Sequence, residues 1–131
     1  MKLHSTLQLM ILFLSTLVCS ASLSVKVGEP KITGNRAVIK LAMTNSYNST
    51  IESARVAVFL KDEKGKVIGQ KAEWVIGGSK DKPALAPKAG TEYFLMVPAD
   101  KPFQKTDVIF TRIILEGGQV VQAGKGFELQ K

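Results

Sequence analysis

The amino-acid sequence predicts an all-β protein: an antiparallel immunoglobulin-like β-sandwich of about seven strands, preceded by a short signal-peptide helix. Three observations lead to this fold class. Apolar and polar residues alternate with a period close to two from Ser24 onward, and β-branched and aromatic residues cluster in short runs. Turn formers separate these runs at intervals of roughly 10 to 15 residues. Because no stretch keeps a helical apolar period, folds that mix helices with strands are disfavoured.

The predicted strands account for most of the chain after residue 22. They cover residues 23–27, 36–44, 51–61, 66–76, 91–97, 107–116 and 119–123. Gly65 can close a hairpin after Asp62, and Gly117 with Gly118 is a two-residue hairpin signal. The irregular stretch 77–90 would be either a crossover between two sheets or a binding loop, with Leu85 as an apolar plug.

The first residues have the order of a secretory signal peptide. Lys2 is followed by an apolar run over residues 7–18 and then by small residues around Ala21. The apolar run is about a dozen residues long, whereas a helix that spans a bilayer needs about 20, so we expect cleavage after Ala21. Residues 1–21 are therefore the predicted signal peptide, and residues 22–131 are one predicted domain. We expect export, either as a secreted protein or to the periplasm or cell envelope.

Cys19 raises the alternative of a bacterial lipoprotein, in which a cysteine after the apolar run is acylated. Such sites usually have leucine three residues before the cysteine and a small residue directly before it. Thr16 and Val18 occupy those places here. The pattern favours a cysteine that is discarded with the signal peptide.

The mature chain lacks the side chains of common catalytic sites. The one histidine, His4, and the one cysteine, Cys19, both lie in the predicted signal peptide. This excludes disulfides within the domain, Ser-His-Asp triads, Cys-His pairs and the usual zinc and haem sites. Asp62, Asp100 and Asp107 lie in loops or at a strand end, without apolar surroundings that would suit a carboxylate acid-base pair. We expect a protein that is not an enzyme and that has no cofactor or metal.

Several turn and core positions together indicate a family. They are Leu60, Asp62 and Gly65 in one hairpin, Leu85-Ala86-Pro87 in a later turn, and Tyr93-Phe94 in the strand that follows. Over residues 36–116 the chain resembles the FxLYD group of small extracytoplasmic immunoglobulin-like domains. The resemblance implies an exported or cell-envelope accessory domain with no shared catalytic residue.

The chain is basic, with a formal net charge of +7, which attracts it to anionic surfaces. Most lysines are spread along the strands, as on the solvated face of a sheet. Lysines in two loops could form a basic rim for an anionic polymer or lipid head groups; these are Lys80, Lys82, Lys88, Lys101 and Lys105. The expected partner is an unknown protein or an anionic envelope or surface polymer. Neither specific nucleic-acid binding nor a transmembrane span in the mature chain is expected.

Trp74 allows two interpretations. With Phe59 on a nearby strand it could form a platform for carbohydrate, but strict alternation places it on one face with Ala72 and Ile76, and tryptophan is usually a core residue in this fold. Our main hypothesis is a non-enzymatic exported module for accessory, adhesion or envelope interactions. The alternative is a small-ligand or glycan-binding domain that uses the 77–90 loop and Trp74.

Overall fold

The computed structural model describes residues 21–79 and 82–130, and its regular elements in these ranges are β-strands. The strands are β1 (Leu23–Val27), β2 (Lys31–Thr33), β3 (Arg36–Asn45), β4 (Ile51–Lys61), β5 (Val67–Ile76), β6 (Gly90–Pro98), β7 (Lys105–Leu115), β8 (Gln119–Val121) and β9 (Phe127–Gln130). The predicted signal peptide lies outside the described residues except for Ala21.

The first sheet is built around β3. One edge of β3 pairs antiparallel with β6 along its length, from Arg36 opposite Pro98 to Thr44 opposite Gly90. The other edge pairs antiparallel with β1 and with the short β2. β9 then pairs parallel with β1, with Phe127 opposite Leu23.

The second sheet is antiparallel and has the strand order β5-β4-β7-β8. β4 lies between its two long neighbours, and Ala57 is opposite Ala72 on β5 and Ile109 on β7. The 77–90 segment leaves β5 and enters β6, so it is a crossover between the two sheets.

The core lies between the inner faces of the two sheets, where period-two alternation points one apolar side chain inward at every second residue. It includes Leu23, Val25, Ala37, Ile39, Leu41, Met43, Leu95 and Val97 from the first sheet, and Ala54, Val56, Val58, Leu60, Val108, Phe110 and Ile113 from the second. Leu85 from the crossover is also buried in this cluster, as the sequence predicted.

The β-sandwich prediction is confirmed, but the described residues contain nine strands where about seven were expected. The additional strands are β2 and β9. β2 has three exposed residues, so it carries no burial pattern that could reveal it in the sequence. β9 departs from the expected antiparallel arrangement because it pairs parallel with β1, a contact between the two ends of the domain.

Two hairpins follow the turn residues that the sequence indicated. Gly65 has a φ of 82°, and the Asp62 carboxylate accepts hydrogen bonds from the backbone N–H groups of Lys64 and Lys66, both at 2.9 Å. Gly117 and Gly118 also have positive φ. Their hairpin differs from the two-residue prediction because Leu115 pairs with Gln119, which leaves three residues in the loop.

The two sheets come close at one side of the sandwich, where β5 is the edge strand of one sheet and β6 is the edge strand of the other. Gly69 on β5 lies against the backbone of Pro98 on β6. A Cβ atom at Gly69 would collide with the Pro98 carbonyl oxygen. The absence of a side chain at this position therefore allows the two edges to meet.

Candidate functional site

Two β-bulges lie opposite Arg55 on β4, one in each neighbouring strand. On β5 the partner of Arg55 is Trp74, and Val75 is the extra residue before pairing resumes. On β7 the partner of Arg55 is Arg112, and Thr111 is the extra residue. Bulges increase the local twist and redirect the side chains beside them. The result is a row of three side chains, Trp74, Arg55 and Arg112, across three strands on the outer face of the second sheet. We call this row the Trp-Arg-Arg row.

The bulge on β7 sets the direction of Arg112. Strict alternation after the buried Phe110 would turn Arg112 inward. With Thr111 as the extra residue, Ile113 instead reaches the core and Arg112 is exposed. The Thr111 hydroxyl donates a hydrogen bond of 3.4 Å to the Arg55 carbonyl oxygen, which links the bulge to the strand beside it.

The bulge on β5 corrects the expected position of Trp74. Strict alternation predicted that Trp74 shares a face with Ile76 and packs in the core. Because Val75 is extra, Val75 and Ile76 are both buried, while Trp74 faces outward with Ala72 and is half-buried. The core interpretation of Trp74 is therefore wrong.

Trp74 and Arg55 line a shallow groove of about 350 Å³. Its other lining residues include Glu73, Ser79 and Lys82. The Lys82 ammonium also lies 5.2 Å from the centre of the Tyr93 ring, a cation–π distance. The groove thus combines an indole surface with a guanidinium, an ammonium and a hydroxyl. Binding sites for small molecules have this kind of makeup, with an apolar surface and a few polar groups.

The same outer face continues beyond the groove as an apolar surface. Phe59 on β4 and Ile114 on β7 are half-buried. Ile109 is 40% exposed and Val120 is 53% exposed. These residues and the Trp-Arg-Arg row together form what we call the outer face of the second sheet. Aromatic residues and arginine are enriched at protein interfaces relative to other surfaces.

An ion-pair cluster lies at the far end of this face, close to the β4–β5 hairpin. The Lys61 ammonium is 2.6 Å from one Asp107 carboxylate oxygen, and the Lys105 ammonium is 3.8 Å from the other. The hydrogen bond from Lys61, helped by the positive charge of Lys105, lowers the pKa of Asp107 below its ordinary value. The charges at this end of the face are therefore compensated locally.

The crossover is fixed by Asn45, whose side chain is fully buried. Its amide nitrogen donates hydrogen bonds to the carbonyl oxygens of Ser49 at 2.9 Å and of Leu85 at 3.0 Å. Its amide oxygen accepts one from the backbone N–H of Tyr47 at 2.8 Å. Ile51 and Leu85 also exchange two backbone hydrogen bonds of 2.9 Å. These contacts hold the segment that begins at the Trp74 groove.

The lysines proposed as a basic rim do not lie together. Lys82 is in the Trp74 groove and Lys88 lies on the same crossover, where its N–H donates to the Asn45 carbonyl oxygen. Lys101 and Lys105 lie beyond the other end of β6. Nine residues of extended β6 separate the two groups, a length of roughly 25 to 30 Å at about 3.3 Å per residue. Lys80 lies outside the described residues.

Lys101 instead lines a second cavity, of about 560 Å³, at the end of the sandwich away from the crossover. Ile32, Pro102 and Phe103 supply apolar surface there, and Asp100 lies next to Lys101 in the lining. This cavity is distant from Trp74, so the predicted site residues divide between the two ends of the molecule.

Arg55 and Arg112 are the site residues that sequence reasoning missed. Arg55 has the place of an ordinary solvated residue in an alternating strand, whereas strict alternation turns Arg112 inward. The available signal was the run Phe110-Thr111-Arg112-Ile113, whose apolar spacing fits no strict period of two. A bulge at Thr111 resolves that misfit.

Within residues 21–79 and 82–130, no group of three His, Cys, Asp or Glu side chains is arranged to hold a metal ion. The same ranges contain no helix with the length and apolar character needed to cross a membrane.

No family model matches the chain, and no curated protein matches it in sequence. Solved structures do share its fold. IrmA from Escherichia coli is 15% identical with a TM-score of 0.55, over 86% of this chain and 93% of that chain. A Bordetella pertussis protein given the name ApaA is 18% identical with a TM-score of 0.58, over 77% of this chain and 85% of that chain. At these identities the similarity is one of fold alone.

Proposed function

We propose that the protein is an exported, non-enzymatic binding module of the accessory, adhesion or envelope-interaction kind. It holds its partner, a protein or an anionic polymer of the envelope or cell surface, with the outer face of the second sheet. The observation that carries this proposal is the position of Trp74, which faces outward, remains half-buried and is in register with Arg55.

The composition of this face supports binding. Tryptophan and arginine are enriched among the residues that contribute most to interface affinity. The solvent face of an antiparallel sheet is usually polar, whereas Ile109 and Val120 on this face are largely exposed. Hydrogen-bonded strands carry these side chains, and a site on strands is more rigid than a site on loops.

Export is supported by the order of charged, apolar and small residues at the start of the sequence. The absence of histidine and cysteine after Cys19 supports a role without catalysis. The resemblance to the FxLYD group agrees with both proposals. It is supported by Asp62 and Gly65, which close the β4–β5 hairpin as that turn pattern requires.

Substitution of Trp74 tests the binding face. The purified protein is labelled with a fluorophore and titrated against envelope material from the cells that produce it. We expect Trp74→Ala to weaken binding at least tenfold, since loss of a buried interface tryptophan commonly costs about 2 kcal/mol or more. Phe94→Ala is the matched control, because Phe94 is 58% exposed on the other sheet, and it should bind as the wild type does.

Two results would count against the proposal. If Trp74→Ala binds normally while Phe94→Ala does not, the partner binds the first sheet. If mass spectrometry finds an intact N-terminus on the working protein, the chain is not processed for export.

A small free saccharide is a second candidate ligand, at the 77–90 loop and Trp74. The groove beside Trp74 favours it, because Ser79 offers a hydrogen bond to a hydroxyl group next to an aromatic surface. Trp74 is the one tryptophan of the chain, so its fluorescence reports on this site. A saturable change with neutral oligosaccharides would support this candidate, and no change would remove it.

A further inference from the structure

Arg55 and Arg112 are direct cross-strand partners on a solvent-facing surface. Opposite residues of an antiparallel pair have Cβ atoms about 5 Å apart, and like charges at that distance destabilise the sheet. In the part of the chain that the structure describes, neither guanidinium has a carboxylate within ion-pair distance. Cross-strand lysines elsewhere do have such partners: Lys40 pairs with Glu92, and Lys61 pairs with Asp107. The row thus concentrates positive charge that the fold does not need.

The bulges indicate that this concentration of charge is a built feature. If β7 paired regularly, with no bulge at Thr111, Arg112 would lie opposite Ala54 and face the core; the bulge places it opposite Arg55 instead. If β5 paired regularly, with no bulge at Val75, Ile76 would lie on the outer face with Trp74. Bulges often redirect side chains next to functional sites. Here the β7 bulge places Arg112 on the face where Arg55 and Trp74 are already in register, and the β5 bulge turns Ile76 away from that face into the core.

We infer that the Trp-Arg-Arg row is a subsite for an acidic polysaccharide, with Trp74 against a sugar ring and Arg55 and Arg112 on its carboxylate or sulfate groups. This inference rests on the proposed function, since it names the partner class for the same face. The planar guanidinium forms two parallel hydrogen bonds with a carboxylate or sulfate, a geometry that lysine does not offer. The electron-rich face of the indole attracts the C–H groups of a sugar ring.

The dimensions and polar groups of the site fit a saccharide chain. Two strand spacings of about 4.8 Å separate Trp74 from Arg112, so the row extends for roughly 10 Å. Ser79 in the groove can hydrogen-bond a sugar hydroxyl. An acidic polypeptide offers few hydroxyl groups and no sugar ring for the indole to stack on. Lys82, in the same groove, adds to the attraction for a polyanion.

Trp74 fluorescence measures this binding in the purified protein. The probes are polygalacturonate, heparin, neutral dextran and poly-L-glutamate, all at one ionic strength. We expect saturable changes with polygalacturonate or heparin and none with dextran, and we expect the affinity to fall as salt is raised. Equal binding of dextran would overturn the inference. Equal binding of poly-L-glutamate that also depends on both arginines would overturn it in favour of an acidic protein.

Three variants test the arginines. Arg55→Gln and Arg112→Gln should each raise the Kd for the acidic polysaccharide by about tenfold, which is a loss of about 1.4 kcal/mol. Arg36→Gln, at an exposed arginine on the first sheet, is the matched control and should leave the Kd unchanged. Because both site variants remove a repulsion, their midpoints in urea should equal or exceed that of the wild type. Unchanged Kd values in both site variants would overturn the inference.

The two proposals fail in different ways. If envelope binding needs Trp74 but polygalacturonate and heparin do not compete for it, the acidic polysaccharide is wrong and the binding face stands. If envelope binding does not need Trp74, the face itself is wrong.

Discussion

Replacing Asn45 with alanine tests whether three side-chain hydrogen bonds hold the crossover in place. The substitution removes the bonds to the carbonyl oxygens of Ser49 and Leu85 and to the N–H of Tyr47. The Leu85 carbonyl oxygen keeps one hydrogen-bond donor, because it also accepts a hydrogen bond from the Ile51 N–H. Each lost bond costs about 1 kcal/mol, and an unsatisfied N–H adds up to about 1 to 2 kcal/mol more. We expect Asn45→Ala to lower the free energy of unfolding by about 3 to 5 kcal/mol.

Urea unfolding followed by Trp74 fluorescence measures this change. A domain of this size has a urea slope near 1.5 kcal/mol per molar, so the midpoint should fall by about 2 to 3 M. Asn48→Ala is the matched control, because Asn48 is exposed and lies three residues after Asn45, in the connection between β3 and β4. The control should change stability by no more than about 0.5 kcal/mol.

Equal midpoints for Asn45→Ala and Asn48→Ala would refute this account of the crossover. Asn45→Asp gives a second measurement. It keeps the acceptor for Tyr47 but places a buried carboxylate against two carbonyl oxygens, so the loss should be at least as large as for alanine.

Three further substitutions have expected outcomes. Lys88 has a φ of 66°, a conformation that favours glycine. Lys88→Gly should therefore raise the free energy of unfolding by about 0.5 to 1 kcal/mol, seen as a higher urea midpoint; a lower midpoint would contradict this. Because Lys61 lowers the pKa of Asp107, the ion pair adds stability above about pH 4 that is lost as the pH falls through the lowered pKa. Asp107→Asn should flatten the acid side of the stability curve and cost at most about 1 kcal/mol at pH 7; an unchanged acid side would show that the pair contributes nothing. The Tyr47 hydroxyl donates a 2.7 Å hydrogen bond to the Gly126 carbonyl oxygen, so Tyr47→Phe should cost about 1 kcal/mol by calorimetry. Burial raises the pKa of Tyr47, so the stability that the neutral hydroxyl contributes is present below pH 10 and is lost as the pH rises through the raised pKa. In alkaline solution the free energy of unfolding should therefore fall more steeply for the wild type than for Tyr47→Phe. Parallel plots of stability against pH for the two proteins would contradict this effect of burial.

Most of the fold could be predicted because most strands show clean alternation between a buried and an exposed face. The exceptions are strands whose pairing is not local. β9 has four residues and pairs parallel with β1, which is about 100 residues away. No pattern within 127–130 could indicate that partner. β2 has no buried residue to mark it.

The site was less predictable because it depends on bulges. A single extra residue at Val75 reverses the inference about Trp74, since every residue beyond it changes face. The division of the lysines could have been foreseen, because the predicted strand 91–97 separates Lys88 from Lys101. Two loops joined by one extended strand lie at opposite ends of a sheet.

The contact between Gly69 and Pro98 has a consequence for aggregation. Long strands with unpaired backbone groups can recruit another chain and start aggregation. β5 and β6 are the long edge strands in the described part of the protein, and each shields the other. The remaining edge strands, β2, β8 and β9, have three, three and four residues, which is short for such recruitment. Glycine at one position therefore helps the protein to remain dispersed at high concentration, and a larger residue there would expose both edges at once.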